Sequence, residues 1–216
     1  MARIAVFDLD GTLVDSAPAI HRALALMCHR RGLPAPALAD VQGQVSLGVA
    51  RLVAHALRLD GVASTEDITA FRACYALHTG TADDLYAGIP KALAQLHAAG
   101  VVMGVCTNKP QALAERVLQD TGIARYFTAV VGGDTTPAPK PDAAHLQHTL
   151  RRMGCSGQPC HFIGDSSVDA RVAAACGARF LWASWGYPDV DSLPISGLCL
   201  ATPDDLVPSI LHGDNA

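Results

Sequence analysis

The stretch Arg3-Ile-Ala-Val-Phe-Asp-Leu-Asp-Gly-Thr12 decides the fold. An unbroken apolar run from Ile4 to Phe7 ends abruptly in two carboxylates and a Gly-Thr pair. A run with no polar alternation suits a strand covered on both faces, as in a parallel sheet. The same design recurs downstream. Val101 to Cys106 runs into Thr107-Asn108, Ala129 to Val131 into Gly132-Gly133-Asp134, and His161 to Ile163 into Gly164-Asp165, with Phe180 to Ala183 as a fifth run.

Helical segments separate these runs. Pro90 to Ala99 stops at Gly100, and Pro110 to Thr121 stops at Gly122. Asp142 to Met153 stops at Gly154, and Ser167 to Cys176 at Gly177. Glycine just past the end of each, with proline opening the first two, is the asymmetry expected of helix termini. Strand and helix in alternation predict right-handed crossovers and an α/β sheet with helices on both faces.

Residues 15 to 82 break the alternation. Ile20, Leu24 and Met27 recur at helical spacing, as do Leu52, Val53, Ala56 and Leu57, and then Ile68, Phe71 and Tyr75. No strand is expected there. The predicted organisation is an α/β core of residues 1–14 and 83–216 with an all-helical insert, residues 15–82, placed as a cap.

Half of the chain is apolar and 17% is charged, enough for a sizeable core and unlike a disordered chain. The net charge of -4, with scattered Lys and Arg, argues against a nucleic-acid partner, which requires a basic face. The seven cysteines, with no C-x-x-C pair, indicate neither a disulfide framework nor a zinc knuckle. The apolar N-terminal run is too short for a signal peptide or a membrane span, so a cytoplasmic protein in a reducing compartment is expected.

In an open parallel sheet, ligands gather outside the carboxyl ends of the strands. Asp8, Asp10, Thr107, Asn108, Asp134 and Asp165 stand at those ends, and Lys140 follows the third run. Carboxylates, a hydroxyl, an amide and an ammonium in one crevice form the set that phosphoryl transfer needs. Asp10, two residues beyond Asp8, points to the same side of an extended chain.

Four segments carry a resemblance: Asp8-Leu-Asp-Gly-Thr-Leu-Val-Asp-Ser16, Cys106-Thr-Asn-Lys-Pro110, Lys140-Pro141 and Gly164-Asp-Ser-Ser-Val-Asp169. In that order the chain resembles the haloacid dehalogenase-like hydrolases, and within them the phosphoglycolate phosphatase group with a helical cap. The resemblance implies a Rossmann-like parallel-sheet core and a Mg2+-dependent phosphatase of a small phosphorylated metabolite, 2-phosphoglycolate first. A sugar- or amino-sugar-phosphate phosphatase and a β-phosphoglucomutase-like phosphomutase are the alternatives.

The resemblance also implies roles. Asp8 is the expected nucleophile, forming an aspartyl phosphate, and Asp10 the expected general acid and base. Halide-releasing members lack the second aspartate, because a halide needs no proton. Asp8, Asp165 and the backbone carbonyl of Asp10 are the expected Mg2+ ligands, with Asp169 a ligand or, preferably, an outer partner. Thr107, Asn108 and Lys140 are expected around the phosphoryl oxygens. His21, Ser46, Leu47, Gly48 and Arg51 are candidates for specificity in the cap. Ser46-Leu47-Gly48 departs from the Gly-Asn-Gly-like turn of the phosphoglycolate group, and Ala143 stands where that group commonly has proline. Arg30-Arg31 before Gly32 is expected only to complement a helix end. His145 and His148 are expected at the surface, with no metal role.

Overall fold

The computed structural model describes residues 3–45, 48–77, 80–187 and 197–212. Six strands form one sheet: β1 (Ile4–Phe7), β2 (Val102–Cys106), β3 (Ala129–Val131), β4 (His161–Gly164), β5 (Arg179–Ala183) and β6 (Leu198–Leu200). Every pairing is parallel, in the order β3-β2-β1-β4-β5-β6. Phe7 lies beside Val105 on one neighbour and Ile163 on the other. The chain runs outward to β3 and then returns to the far side of β1, so the topological switch point lies between β1 and β4. A crevice opens there at the strand carboxyl ends.

The pleat explains why β1 reads as an unbroken apolar run. Ala5 and Phe7 face a core shared with α5 (Ile89–Ala98), α6 (Gln111–Asp120) and α9 (Leu206–His212). Ile4 and Val6 face the opposite core, shared with α7 (Ala143–Arg152) and α8 (Ser167–Ala175). Both sets are buried, and a Phe7→Ala truncation in such a core typically costs about 3–5 kcal/mol.

The helical segment comprises α1 (Ala17–Arg30), α2 (Leu38–Gln44), α3 (Val49–Leu57) and α4 (Thr65–Tyr75). It has a hydrophobic cluster of its own, including Leu24, Met27, Leu52, Val53, Phe71 and Tyr75. Leu113 of α6 packs against that cluster from the sheet side. Arg31, after α1, bonds Asp67 of α4, whose capping box with Ser64 starts that helix. The arginine thus ties two helices together, beyond complementing a helix end.

Strand β6 is not among the runs that the sequence announces. It has three residues, two of them exposed, so no buried run marks it. None of the described helices is long and apolar enough to cross a membrane.

Candidate active site

Strand β1 delivers Asp8 to the crevice, and its backbone N–H still donates to Ile163 O at 2.8 Å. The chain then turns tightly, with Leu13 N and Val14 N both donating to Leu9 O. Gly11 permits this turn. Its φ is +85°, and a Cβ there would lie 2.1 Å from Asp165 Oδ2. No larger residue fits between the turn and Asp165.

Asp165 follows β4 and is 1% exposed. Thr12 Oγ1 donates to its Oδ1 at 3.1 Å, and Tyr187 N donates to its Oδ2 at 3.0 Å. The Tyr187 hydroxyl in turn donates to Asp15 and accepts from Ala17 N, and Trp185 Nε1 donates to Thr12 O. The loop after β5 thus braces the passage from β1 into the helical segment.

Lys140 lies at the centre. Its Nζ is 2.8 Å from Asp8 Oδ1 and 2.6 Å from Asp169 Oδ1, with a side chain 2% exposed. Burial favours the neutral amine, but Asp169 and Asp8 outweigh it and hold the ammonium above the ordinary lysine range. Asp169 also caps α8, accepting from Ser166 N and Ser166 Oγ at its Oδ2. One carboxylate therefore starts the helix and aims the lysine.

The loop carrying Lys140 is fixed by its backbone. Asn108 accepts from Lys140 N at 2.9 Å and donates to Lys140 O at 3.1 Å, so its side chain holds this loop. His145 Nδ1 accepts from the same N–H at 3.1 Å. Contrary to the surface position expected of it, His145 is fully buried. Burial, helped by the charge of Lys140, pulls its pKa down to about 4, which leaves the neutral imidazole that this acceptor role requires. Periodicity around a lone histidine does not reveal this. His148 is partly exposed.

Asp8, Asp165 and Asp169 offer oxygens within 4.8 Å of one another. Burial pushes the Asp8 carboxyl up to about 7 against the opposing pull of Lys140, with Asp169 adding to the rise. Asp165 is raised well above the carboxylate range, by burial first and then by Asp169 and Asp8. Three buried carboxylates face a single ammonium, and a bound divalent cation would relieve that imbalance. Asp165 accepts one neutral hydrogen bond at each oxygen and keeps a lone pair on each. Asp169 is occupied by the ammonium and the cap.

Sequence reasoning passed over Lys109. Its Nζ lies 2.9 and 3.1 Å from the two oxygens of Asp10 and 4.7 Å from the Tyr75 ring centroid. Burial favours its neutral form, but Asp10 and Tyr75 hold it charged, above the usual lysine range. Ser16 also donates to Asp10. The signal was present in Cys106-Thr-Asn-Lys-Pro110, but nothing in the sequence shows the lysine turning inward.

A cavity of about 70 Å³ joins these groups to the helical segment. Asp8, Asp10, Thr107, Asn108, Lys140 and Asp169 line one side, and Ile20, Gly48, Leu52, Phe71 and Tyr75 line the other. Of the specificity candidates, only Gly48 lines it; Ser46 and Leu47 lie outside the described residues. His21 bonds Pro36 O, Arg51 is exposed on α3, and neither lines the cavity. Asp134, for which the sequence suggests no definite role, accepts from Gln111 N and steadies the start of α6.

Residues 2–177 match the family model of the haloacid dehalogenase-like hydrolases, and the chain belongs to that family. Among named relatives, a phosphoglycolate phosphatase of Xanthomonas campestris is 36% identical over 90% of this chain and 88% of its own. One from Cereibacter sphaeroides is 37% identical over 89% and 91%. Solved structures share the fold: a haloacid dehalogenase-like hydrolase of Streptococcus pneumoniae superposes with a TM-score of 0.78 at 23% identity, covering 95% of this chain and 97% of that one. A β-phosphoglucomutase of Clostridium difficile gives 0.77 at 17% identity, covering 95% and 93%.

Proposed function

We propose that this phosphoric monoester hydrolase cleaves 2-phosphoglycolate, with Asp8 as nucleophile and Asp10 as proton carrier. The observation that carries the reading is Asp8 at the β1–β4 switch point, held 2.8 Å from the Lys140 ammonium beside Asp165. The phosphoglycolate phosphatases similar to this chain along most of its length support the substrate. The cavity of about 70 Å³, against the ~300–1,000 Å³ typical of drug-sized ligand pockets, favours a small ester.

An oxygen of Asp8 attacks phosphorus as the bond to the ester oxygen breaks, leaving an aspartyl phosphate. Asp10 gives the departing alkoxide a proton. It then takes one from the water that hydrolyses the aspartyl phosphate, so a single carboxyl serves both half-reactions. Lys140 balances the charge gathered when an anionic ester meets Asp8, and the Thr107 hydroxyl lies at the cavity wall to meet a phosphoryl oxygen. Asn108 acts by holding the Lys140 loop, and Asp169 by aiming the ammonium. Asp8, Asp165 and the Asp10 carbonyl would hold Mg2+, which supplies positive charge opposite the phosphoryl oxygens. The helical segment closes the cavity as a cap and excludes water.

A phosphate-release screen with Mg2+ across glycolate, sugar, amino-sugar and nucleotide monophosphates tests the substrate, with 2-phosphoglycolate expected to give the highest kcat/KM. Asp8→Asn should abolish turnover of every ester. Turnover beyond a trace would mean that another group is the nucleophile.

A further inference from the structure

Lys109 poses a physical problem that the reaction above leaves open. An ammonium with a side chain 6% exposed is costly to bury and persists only where it is paired. Its observed partner, Asp10, is the group that must meet the ester oxygen. Two of its N–H bonds go to the Asp10 oxygens, and the Tyr75 ring covers it from the helical segment. Lys109 is therefore a buried cation beside Asp10 in the cavity lining, with a carboxylate partner distinct from those of Lys140.

The chemistry of the leaving group accounts for this. In an ester of a 2-hydroxy acid, a single carbon separates the bridging oxygen from the carboxylate. When the bridging oxygen lies against Asp10, that carboxylate necessarily falls near Asp10 as well. Once Asp10 has given its proton to the leaving oxygen, both groups are carboxylates, and two at such range repel unless a cation joins them. Lys109 is already bonded to one of them. On the side of the helical segment, Ile20, Val49, Leu52 and Phe71 are apolar and offer sugar hydroxyls no partners. Arg72 also lines the cavity, and unlike Lys109 it is exposed.

We propose that Lys109 is the specificity-determining residue that binds the substrate's own carboxylate, shared with Asp10, so that the site selects phosphate esters of 2-hydroxy acids. The assignment rests on the phosphatase reading above. It adds a residue and a geometric rule: the carboxylate is read one carbon from the ester oxygen. Tyr75, by covering Lys109, makes the helical segment part of the same recognition.

The test compares 2-phosphoglycolate with ethyl phosphate, which has the same carbon skeleton without the carboxylate, and with 3-phosphooxypropionate, whose carboxylate lies one carbon further out. Steady-state kinetics with Mg2+ are measured on the wild type, Lys109→Met, Lys109→Gln and Arg72→Met. The wild type should prefer 2-phosphoglycolate over both analogues. In either Lys109 variant the ratio of kcat/KM for 2-phosphoglycolate to that for ethyl phosphate should fall about 10- to 100-fold, the range for a hydrogen bond to a charged group. The fall should appear chiefly as a rise in KM for 2-phosphoglycolate. Removing Lys109 also releases Asp10 for every ester, so the ratio separates recognition from positioning. If both substrates slow equally in the Lys109 variants, the lysine only positions Asp10 and the inference is overturned. It is overturned equally if Arg72→Met alone removes the preference. A wild type that turns over ethyl phosphate as readily as 2-phosphoglycolate would defeat the substrate reading itself, a result visible before any variant is made.

Discussion

Replacing Lys140 by Met should expose the electrostatic balance of the site. The side chain is 2% exposed and contacts Asp8 at 2.8 Å and Asp169 at 2.6 Å. Methionine fills similar space, so packing is largely kept while both carboxylates lose their cation. Removing one partner of a buried pair typically costs about 3–5 kcal/mol. For a chain of this size each kcal/mol is worth about 2–4 °C in Tm, so a fall of roughly 6–20 °C is expected without divalent metal. The loss must depend on pH. Burial raises the Asp8 carboxyl from its ordinary 3.8 to about 7. The folded state therefore holds this proton more tightly than the unfolded chain does. That advantage is complete at low pH and fades as pH rises from about 4 through about 7. At pH 5.5 the Asp8 carboxyl of the variant can stay protonated, so the penalty should be smaller than at pH 8. Urea unfolding midpoints at the two pH values, with EDTA present, provide the measurement. A loss at pH 8 within the ~0.5 kcal/mol of an ordinary surface substitution would refute the reasoning. So would equal losses at both pH values. Adding Asp169→Asn should recover part of the stability, because it removes one of the stranded charges.

Three further outcomes follow from the same geometry. In the wild type without metal, thermal stability should decline between pH 5 and pH 8 as Asp8 ionises, and added Mg2+ should raise Tm more at pH 8 than at pH 5; equal shifts at both pH values would contradict a cation held by ionised Asp8 and Asp165. Asp10→Asn should slow alkyl phosphates far more than aryl phosphates, whose leaving groups need little protonation, and equal slowing in a stopped-flow or steady-state comparison would remove Asp10 from the role of general acid. Gly11→Ala must adopt a φ of +85° and push Asp165 aside. The backbone strain alone should cost about 1–3 kcal/mol in urea unfolding, and calorimetric Mg2+ affinity should fall with it.

The strands that matter most were legible because each is buried on both faces and leaves an unbroken apolar run. Asp8 and Asp165 could be placed in one crevice because parallel strands all present their carboxyl ends at the same edge. The run of helices after β1 also showed itself, through recurring apolar residues with no strand between them. Strand β6 escaped, since three residues at a sheet edge impose no pattern. Other differences concern direction. Lys109 reads along the chain as one more residue before a proline, and His145 as one of two surface histidines. The tertiary structure turns the first under Tyr75 and buries the second behind the Lys140 loop.

Sequence alone therefore determined the α/β order, the run of helices after β1 and the polar residues that stand at the strand ends. These follow from local burial and from the common polarity of parallel strands. Only the tertiary structure decided which cation pairs with which carboxylate: Lys140 with Asp8 and Asp169, and Lys109 with Asp10. Those pairings join positions from 29 to 132 residues apart. No periodicity along the chain records them, because they are set by where separate loops meet over the sheet.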